Sequence, residues 1–275
     1  MKADITFGQY CEGNSLIHRL DPRAKIIIAL LYIVAIFLAK SVSAFAVLLL
    51  SSVVFIAMAG LSPRMILKSM RPLLFVIVFT AVINIFWMTG EHLLFEFGVI
   101  KIYLEGIINA ILIIIRIVLL IIASTVFLTY TTTPLALTDG LEQLLSPLKK
   151  IGLPVHEFSM MMTIALRFIP TLIDETGKII NAQTARGADF STGSLLSRAN
   201  ALIPILIPLF VSSFRRADEL ATAMECRCYT GGNGRTRMNV LRSAPKDWIF
   251  AACIILLGCV IVLLNIYLPV YGLSI

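Results

Sequence analysis

Residues 24–61 are apolar apart from Lys25 at the very start, Lys40 and a few serines. As a single helix this run would be about 55 Å long at ~1.5 Å per residue, far beyond a hydrocarbon core of ~30 Å. It must fold back on itself, and Lys40-Ser41-Val42-Ser43 is the one plausible turn. The rest of the chain matches this run in character. Of 275 residues, 59% are apolar and 14% are charged, with a mean hydropathy of +0.93. A compact soluble domain carries roughly 25% charged residues and cannot bury that much apolar surface while covering itself with polar groups. The expected class is an all-α integral membrane protein.

Five spans are expected, at about residues 24–40, 43–61, 72–90, 106–130 and 248–268. Trp87, Tyr130, Trp248 and Tyr267 fall near their ends, where amphipathic rings favour the interface. The net charge of +7 is then a question of where the cations fall. Residues 1–25, 62–71 and 131–247 hold four, three and thirteen Lys and Arg, or twenty of the 23. Between the other spans lie Lys40 and Lys101, and Arg116 is inside the fourth span. The positive-inside bias puts the N-terminus in the cytoplasm and the C-terminus outside. Two further apolar stretches, 156–173 and 201–214, contain Arg167 and Pro170, and Pro204 and Pro208. If both crossed, seven spans would result with the same parity; stretches this short are more often buried or interfacial helices, and five are expected.

The organisation follows as residues 1–130 with four spans, a cytoplasmic helical region 131–247, and a last span within 248–275. Residues 1–25 are polar and mixed in charge and do not read as a cleavable signal. In the 131–247 region, leucines 135, 141, 144, 145 and 148 recur at helical spacing. Pro154 opens a long helical pattern to about Ala185, and a second runs from about Ser194 to Cys228 with a stop at Gly231-Gly232. Internal prolines predict kinks in both. Each helix begins apolar and ends charged, which predicts a cytoplasmic layer of amphipathic helices beneath the spans.

Both helices finish alike. The first ends Ala182-Gln183-Thr184-Ala185-Arg186-Gly187, the second Ala223-Met224-Glu225-Cys226-Arg227-Cys228. A lone arginine at a helix C-terminus is favoured by the helix dipole. Small neighbours also leave its planar five-donor fork open for docking on a partner's carboxylates or carbonyls. From the residues alone, capping and docking weigh evenly. The repetition suggests a partner with two equivalent sites.

These residues also carry a resemblance. The chain resembles the transmembrane coupling subunits (T components, EcfT/CbiQ family) of energy-coupling-factor transporters, an ABC-type importer class. Residues 15–25, SLIHRLDPRAK, resemble the family's entry into its first span. Arg167-Phe168-Ile169-Pro170 with residues 182–187 resembles its first coupling motif, and residues 216–220, RADEL, with 223–229 its second. The resemblance implies five spans around coupling helices in a prokaryotic cell membrane, with each motif arginine docked on one of two ABC-type ATPase subunits. Ala185, Arg186 and Gly187 would form one site and Cys226, Arg227 and Cys228 the other. The family usually has Ala and Gly beside the second arginine, and a Cβ at Cys228 opposes a left-handed backbone there. Met160, Met161 and Met162 are candidates for contact with a separate small membrane subunit that binds the vitamin or metal-ion substrate, since Met-rich surfaces suit exchangeable partners.

The resemblance further implies no cofactor in this chain and no catalysis of its own, with ATP held by the partners. Gly231-Gly232-Asn233-Gly234-Arg235-Thr236 lacks the Lys-Ser/Thr end of a phosphate-binding loop and follows a helix, so it reads as a connector. Cys226-x-Cys228 is at most half of a metal pattern. The alternatives are a stand-alone secondary transporter, which would need intramembrane ion pairs, and a membrane-embedded enzyme, which would need clustered His, Asp, Glu or Cys. The spans offer Arg116 and little else that ionises, and His18, His92 and His156 are scattered. Nucleic acid is not an expected partner; the cations are a topology signal. Within the spans, a helix–helix hydrogen bond is expected of Asn84 and an inward-facing structural role of Arg116.

Overall fold

The computed structural model describes residues 10–11, 13–88, 92–97, 100–188, 195–231 and 243–267. Two compact units emerge, one formed by Met1–Leu144 with Leu241–Ile275, the other by Leu145–Val240.

In the first unit the long apolar run folds back where the sequence allows. Helix α1 spans Pro22–Leu38 and α2 spans Val42–Ala59. Asp21 caps α1 by accepting from the Arg23 amide at 2.9 Å, and Pro22 opens the first turn, where a missing N–H costs nothing. Ser41 caps α2 by accepting from the Ala44 amide at 3.2 Å. α2 stops at Gly60, whose φ of +67° needs a residue without a Cβ. The polar groups of the 39–41 turn are met by side chains from other helices of the unit. Arg116 donates to the Ala39 carbonyl at 2.9 Å, with its guanidinium 5.5 Å from the centre of the Phe45 ring. Asn265 accepts from the Lys40 and Ser41 amides, both at 3.1 Å, and donates to the Leu38 carbonyl at 2.7 Å. Arg116 is therefore structural, as expected, and its partners are now named.

Helix α3 (Pro63–Met70) runs through a 3-10 turn, Arg71–Leu73, into α4 (Leu74–Trp87). The helical path starts nine residues before the expected third span because Pro72 is accommodated in the 3-10 turn. Asn84 departs from expectation: it donates to the Thr80 carbonyl of its own helix at 2.9 Å. A short antiparallel hairpin follows, β1 (Leu93–Phe97) and β2 (Ile100–Tyr103), with Glu96 opposite Lys101 in register. Helix α5 (Leu104–Ser124) passes into a π-helical segment, Thr125–Tyr130, and then α6 (Pro134–Leu145). Helix α9 covers Pro245–Tyr267. Apart from the hairpin, the described residues are helical or irregular, and the fold class is all-α.

Four stretches are long and apolar enough to cross a bilayer: Val42–Ala59, Pro63–Trp87, Leu104–Tyr130 and Pro245–Tyr267. α1, at 17 residues, is about 25 Å long, the lower limit for a span. It packs against α5 and α9. Tyr32 on α1 meets the rings of Phe55 and Phe127 with centroids 5.3 and 6.3 Å away, and its hydroxyl donates to the Leu48 carbonyl at 3.1 Å.

At the start of α1 lies a buried cation. Lys25, 2% exposed, donates to the Thr131 carbonyl at 2.7 Å and the His18 carbonyl at 3.1 Å. Asp247, at the head of α9, accepts from the Asp21 amide at 3.1 Å. The ammonium thus ties the N-terminal segment to the end of the π-helical segment, and the Asp21–Asp247 bond ties the N-terminal segment to α9. Replacing Lys25 with Met would leave the His18 and Thr131 carbonyls without this donor, a loss of about 1–3 kcal/mol. The melting temperature of the detergent-purified protein should fall sharply in Lys25→Met and hold in Lys40→Met, where the side chain is exposed.

Candidate functional site

The second unit is built on two helices of 31 residues each, α7 (Val155–Ala185) and α8 (Leu195–Glu225), preceded by a 3-10 turn at Ser146–Ile151. Neither is among the stretches apolar enough to cross a membrane. α7 continues through Pro170, and α8 through Pro204 and Pro208. Pro208 has no amide hydrogen, so the Pro204 carbonyl loses its usual donor. Gln183 of α7 approaches it instead, at 3.5 Å.

That contact fixes the direction of the pair. Gln183 lies beside Pro204, Glu175 is ion-paired with Arg216, and Ile164 and Phe168 share an apolar cavity of about 270 Å³ with Leu220 and Met224. Numbers rise along one helix as they fall along the other, so the helices are antiparallel. Their two C-termini therefore lie at opposite ends of the pair. Extending the register, Arg227 is level with residue 161 of α7, and 25 residues separate that point from Arg186, roughly 35–40 Å of helix. The ion pair stands midway: Arg186 is 11 residues beyond Glu175, and Arg227 is 11 residues beyond Arg216.

The two ends have the same backbone turn. At the first, the Arg186 amide donates to Gln183 at 3.0 Å, Gly187 to Thr184 at 2.9 Å, and Ala188 back to Gln183 at 3.0 Å. At the second, Arg227 donates to Met224 at 3.1 Å, Cys228 to Glu225 at 2.8 Å, and Tyr229 back to Met224 at 3.0 Å. Each is a Schellman motif with the arginine as the last half-helical residue and a left-handed residue after it. Gly187 has φ +90° and Cys228 φ +55°. Cys228 is the one non-glycine residue with positive φ among the described residues. The Cβ that opposed this conformation in the sequence is accommodated, at a cost of roughly 1–2 kcal/mol. The turn also ends α8 at Glu225, earlier than the expected stop at Gly231-Gly232; Gly231 itself is left-handed, and residues 232–242 lie outside the described residues.

Ala185, Arg186, Gly187, Cys226, Arg227 and Cys228 are all exposed. No carboxylate pairs with Arg186 or Arg227 among the described residues, and the helix C-termini behind them add partial negative charge that favours the cation. Met161 and Met162 are exposed and Met160 is half-buried. Sequence reading did not find the Glu175–Arg216 pair; its signal was one acid and one base on the two facing helices.

This geometry defines an all-α membrane protein with an attached antiparallel helix pair that presents two like arginine tips. A family model described as cobalt transport protein (CbiQ) matches residues 13–239. The energy-coupling factor transporter transmembrane protein EcfT of Clostridium kluyveri is 49% identical over 268 residues, covering 97% of this chain and 99% of that protein. EcfT of Ruminiclostridium cellulolyticum is 53% identical over 247 residues, covering 90% and 92%, and that of Bacillus subtilis 43% over 265 residues, covering 96% and 100%. The chain belongs to the CbiQ/EcfT family of transporter membrane proteins.

Relief of the left-handed strain is measurable. Cys228→Gly should raise hydrogen-exchange protection of the Tyr229 amide about fivefold, the equivalent of ~1 kcal/mol. Gly187→Val should lower protection of the Ala188 amide by at least as much.

Proposed function

We propose that this chain is the energy-coupling membrane subunit of an importer, with Arg186 and Arg227 each docked on one of two ABC-type ATPase subunits. The carrying observation is the pair of like turns at opposite ends of one antiparallel helix pair, each with an exposed arginine that no carboxylate pairs among the described residues. A partner with two equivalent sites roughly 35–40 Å apart would receive both tips at once. ATP is bound and hydrolysed in those partners, and this chain holds no cofactor. The positive-inside distribution supports a cytoplasmic N-terminus and a cytoplasmic helix pair.

A separate small membrane subunit binds the substrate, a vitamin or transition-metal ion, and rests on the apolar parts of the pair. Ile207, Phe210, Val211 and Phe214 on α8 are each at least 60% exposed. An apolar face of that extent asks for a cover. Met160, Met161 and Met162 are assigned to the same contact. Closure of the ATPases on ATP would displace the two tips, and the helix pair would pass the movement to the substrate-binding subunit.

Arg186→Glu and Arg227→Glu should each weaken ATPase recovery in pull-downs about 30-fold or more, as expected for an arginine hot spot. The double variant should lose both ATPase recovery and uptake. Recovery of ATPases at wild-type level by the double variant would overturn the docking assignment.

A further inference from the structure

Helix α3 carries a feature that the coupling role leaves unused. Arg64, Lys68 and Arg71 follow one another at i, i+4 and i+7, which places them within an arc of about 60° on one helix face. All three are exposed, and among the described residues no carboxylate is paired with any of them. The opposite face is fixed to the protein. Ile66 is 5% exposed, the Tyr130 hydroxyl donates to the Met65 carbonyl at 3.2 Å, and the Ser69 and Tyr130 hydroxyls are 2.6 Å apart. The helix therefore cannot roll to hide its cations. Leu67, at 63% exposure, borders the basic face.

The position of α3 along its own helical path defines its surroundings. The stretch Pro63–Trp87 is long and apolar enough to cross a bilayer, and its 25 residues extend about 37 Å. A hydrocarbon core of ~30 Å leaves about 7 Å of overhang, close to the thickness of a headgroup layer. α3 is the charged end of that path, so the overhang belongs there. Arg64 and Lys68 then sit at the level of lipid phosphates, and Arg71 can reach them by extending its side chain. Leu67 beside them suits the boundary with the acyl chains.

We propose that the Arg64–Lys68–Arg71 face of α3 is a binding site for the headgroup of an anionic phospholipid. The two guanidinium groups present paired donors that match phosphate oxygens, and Lys68 adds a point charge. Three cations face a net negative headgroup, whereas a zwitterionic headgroup would bring its own ammonium into the same cluster. The site is independent of arginine docking and of which way the chain is inserted.

The test uses the full chain purified in a neutral detergent and titrated with short-chain phosphatidylglycerol, phosphatidylcholine or glycerol phosphate, with binding read by calorimetry. Phosphatidylglycerol should bind, and more weakly as NaCl is raised from low to near-molar concentration. Loss of three interfacial cations, at about fivefold each, should weaken it about 100-fold in the Arg64→Gln/Lys68→Gln/Arg71→Gln variant. If that variant does not fold by circular dichroism, Lys68→Gln alone should weaken binding about fivefold. Equal affinity for phosphatidylcholine, undiminished binding by the variants, or equal binding of glycerol phosphate would each overturn the lipid site. So would absent phosphatidylglycerol binding with loss of partner subunits from the triple variant, which would assign the face to a protein.

Discussion

A backbone carbonyl or amide left open where helices pack together must find a side-chain partner, and the membrane unit is arranged around that demand. Its polar side chains serve chain ends more than one another. Arg116 and Asn265 close the turn between α1 and α2. Lys25 takes the Thr131 carbonyl just past the π-helical segment, and the Thr131 and Thr132 hydroxyls both donate to the Phe127 carbonyl at 3.0 Å. A π turn displaces the regular ladder and leaves carbonyls without amide donors. Hydroxyls and an ammonium make up the difference. Arg116 and Lys25, the cations that the unit's packed helices enclose, thus serve the backbone.

The second unit solves a different problem. Its helices are too polar to cross a bilayer and too apolar to stand alone in water. Pairing hides part of the apolar surface, with one ion pair setting the register. Because the pair is antiparallel, two like helix ends are placed far apart without any second copy of the chain. Repetition in sequence becomes duplication in space only through that reversal.

Much of this was legible in the sequence, and the rest was not, for physical reasons. Hydropathy and helix length located the turn at Lys40 and the α7 end at Ala185 because both depend on local composition. The repeated arginine ends were visible as strings, and the shared Schellman turn follows from them at Gly187. At Cys228 the residue type argued against the left-handed turn, and hydrogen bonding across the helix end prevailed. Arg116 and Lys25 reach the Ala39 and Thr131 carbonyls, distant in sequence, and periodicity carries no information on which carbonyl is left open. Asn84 turned to its own helix because the Thr80 carbonyl was within reach. The β1–β2 hairpin occupies the expected outer loop, where alternation over four or five residues is too brief to separate from irregular chain.

The placement of Glu175 and Arg216 has a mechanical consequence. The ion pair between α7 and α8 stands 11 residues from either arginine, about 16 Å on each side, with the Gln183–Pro204 contact towards one tip and the apolar contacts of Ile164 and Phe168 towards the other. Two rods fastened on both sides of their middle move as one beam. A turn of the beam about its middle swings both tips through equal arcs, so neither end gains travel at the other's expense. Sliding one rod along the other, by contrast, would break the ion pair. A turn of the whole pair keeps every one of these contacts and treats both tips alike.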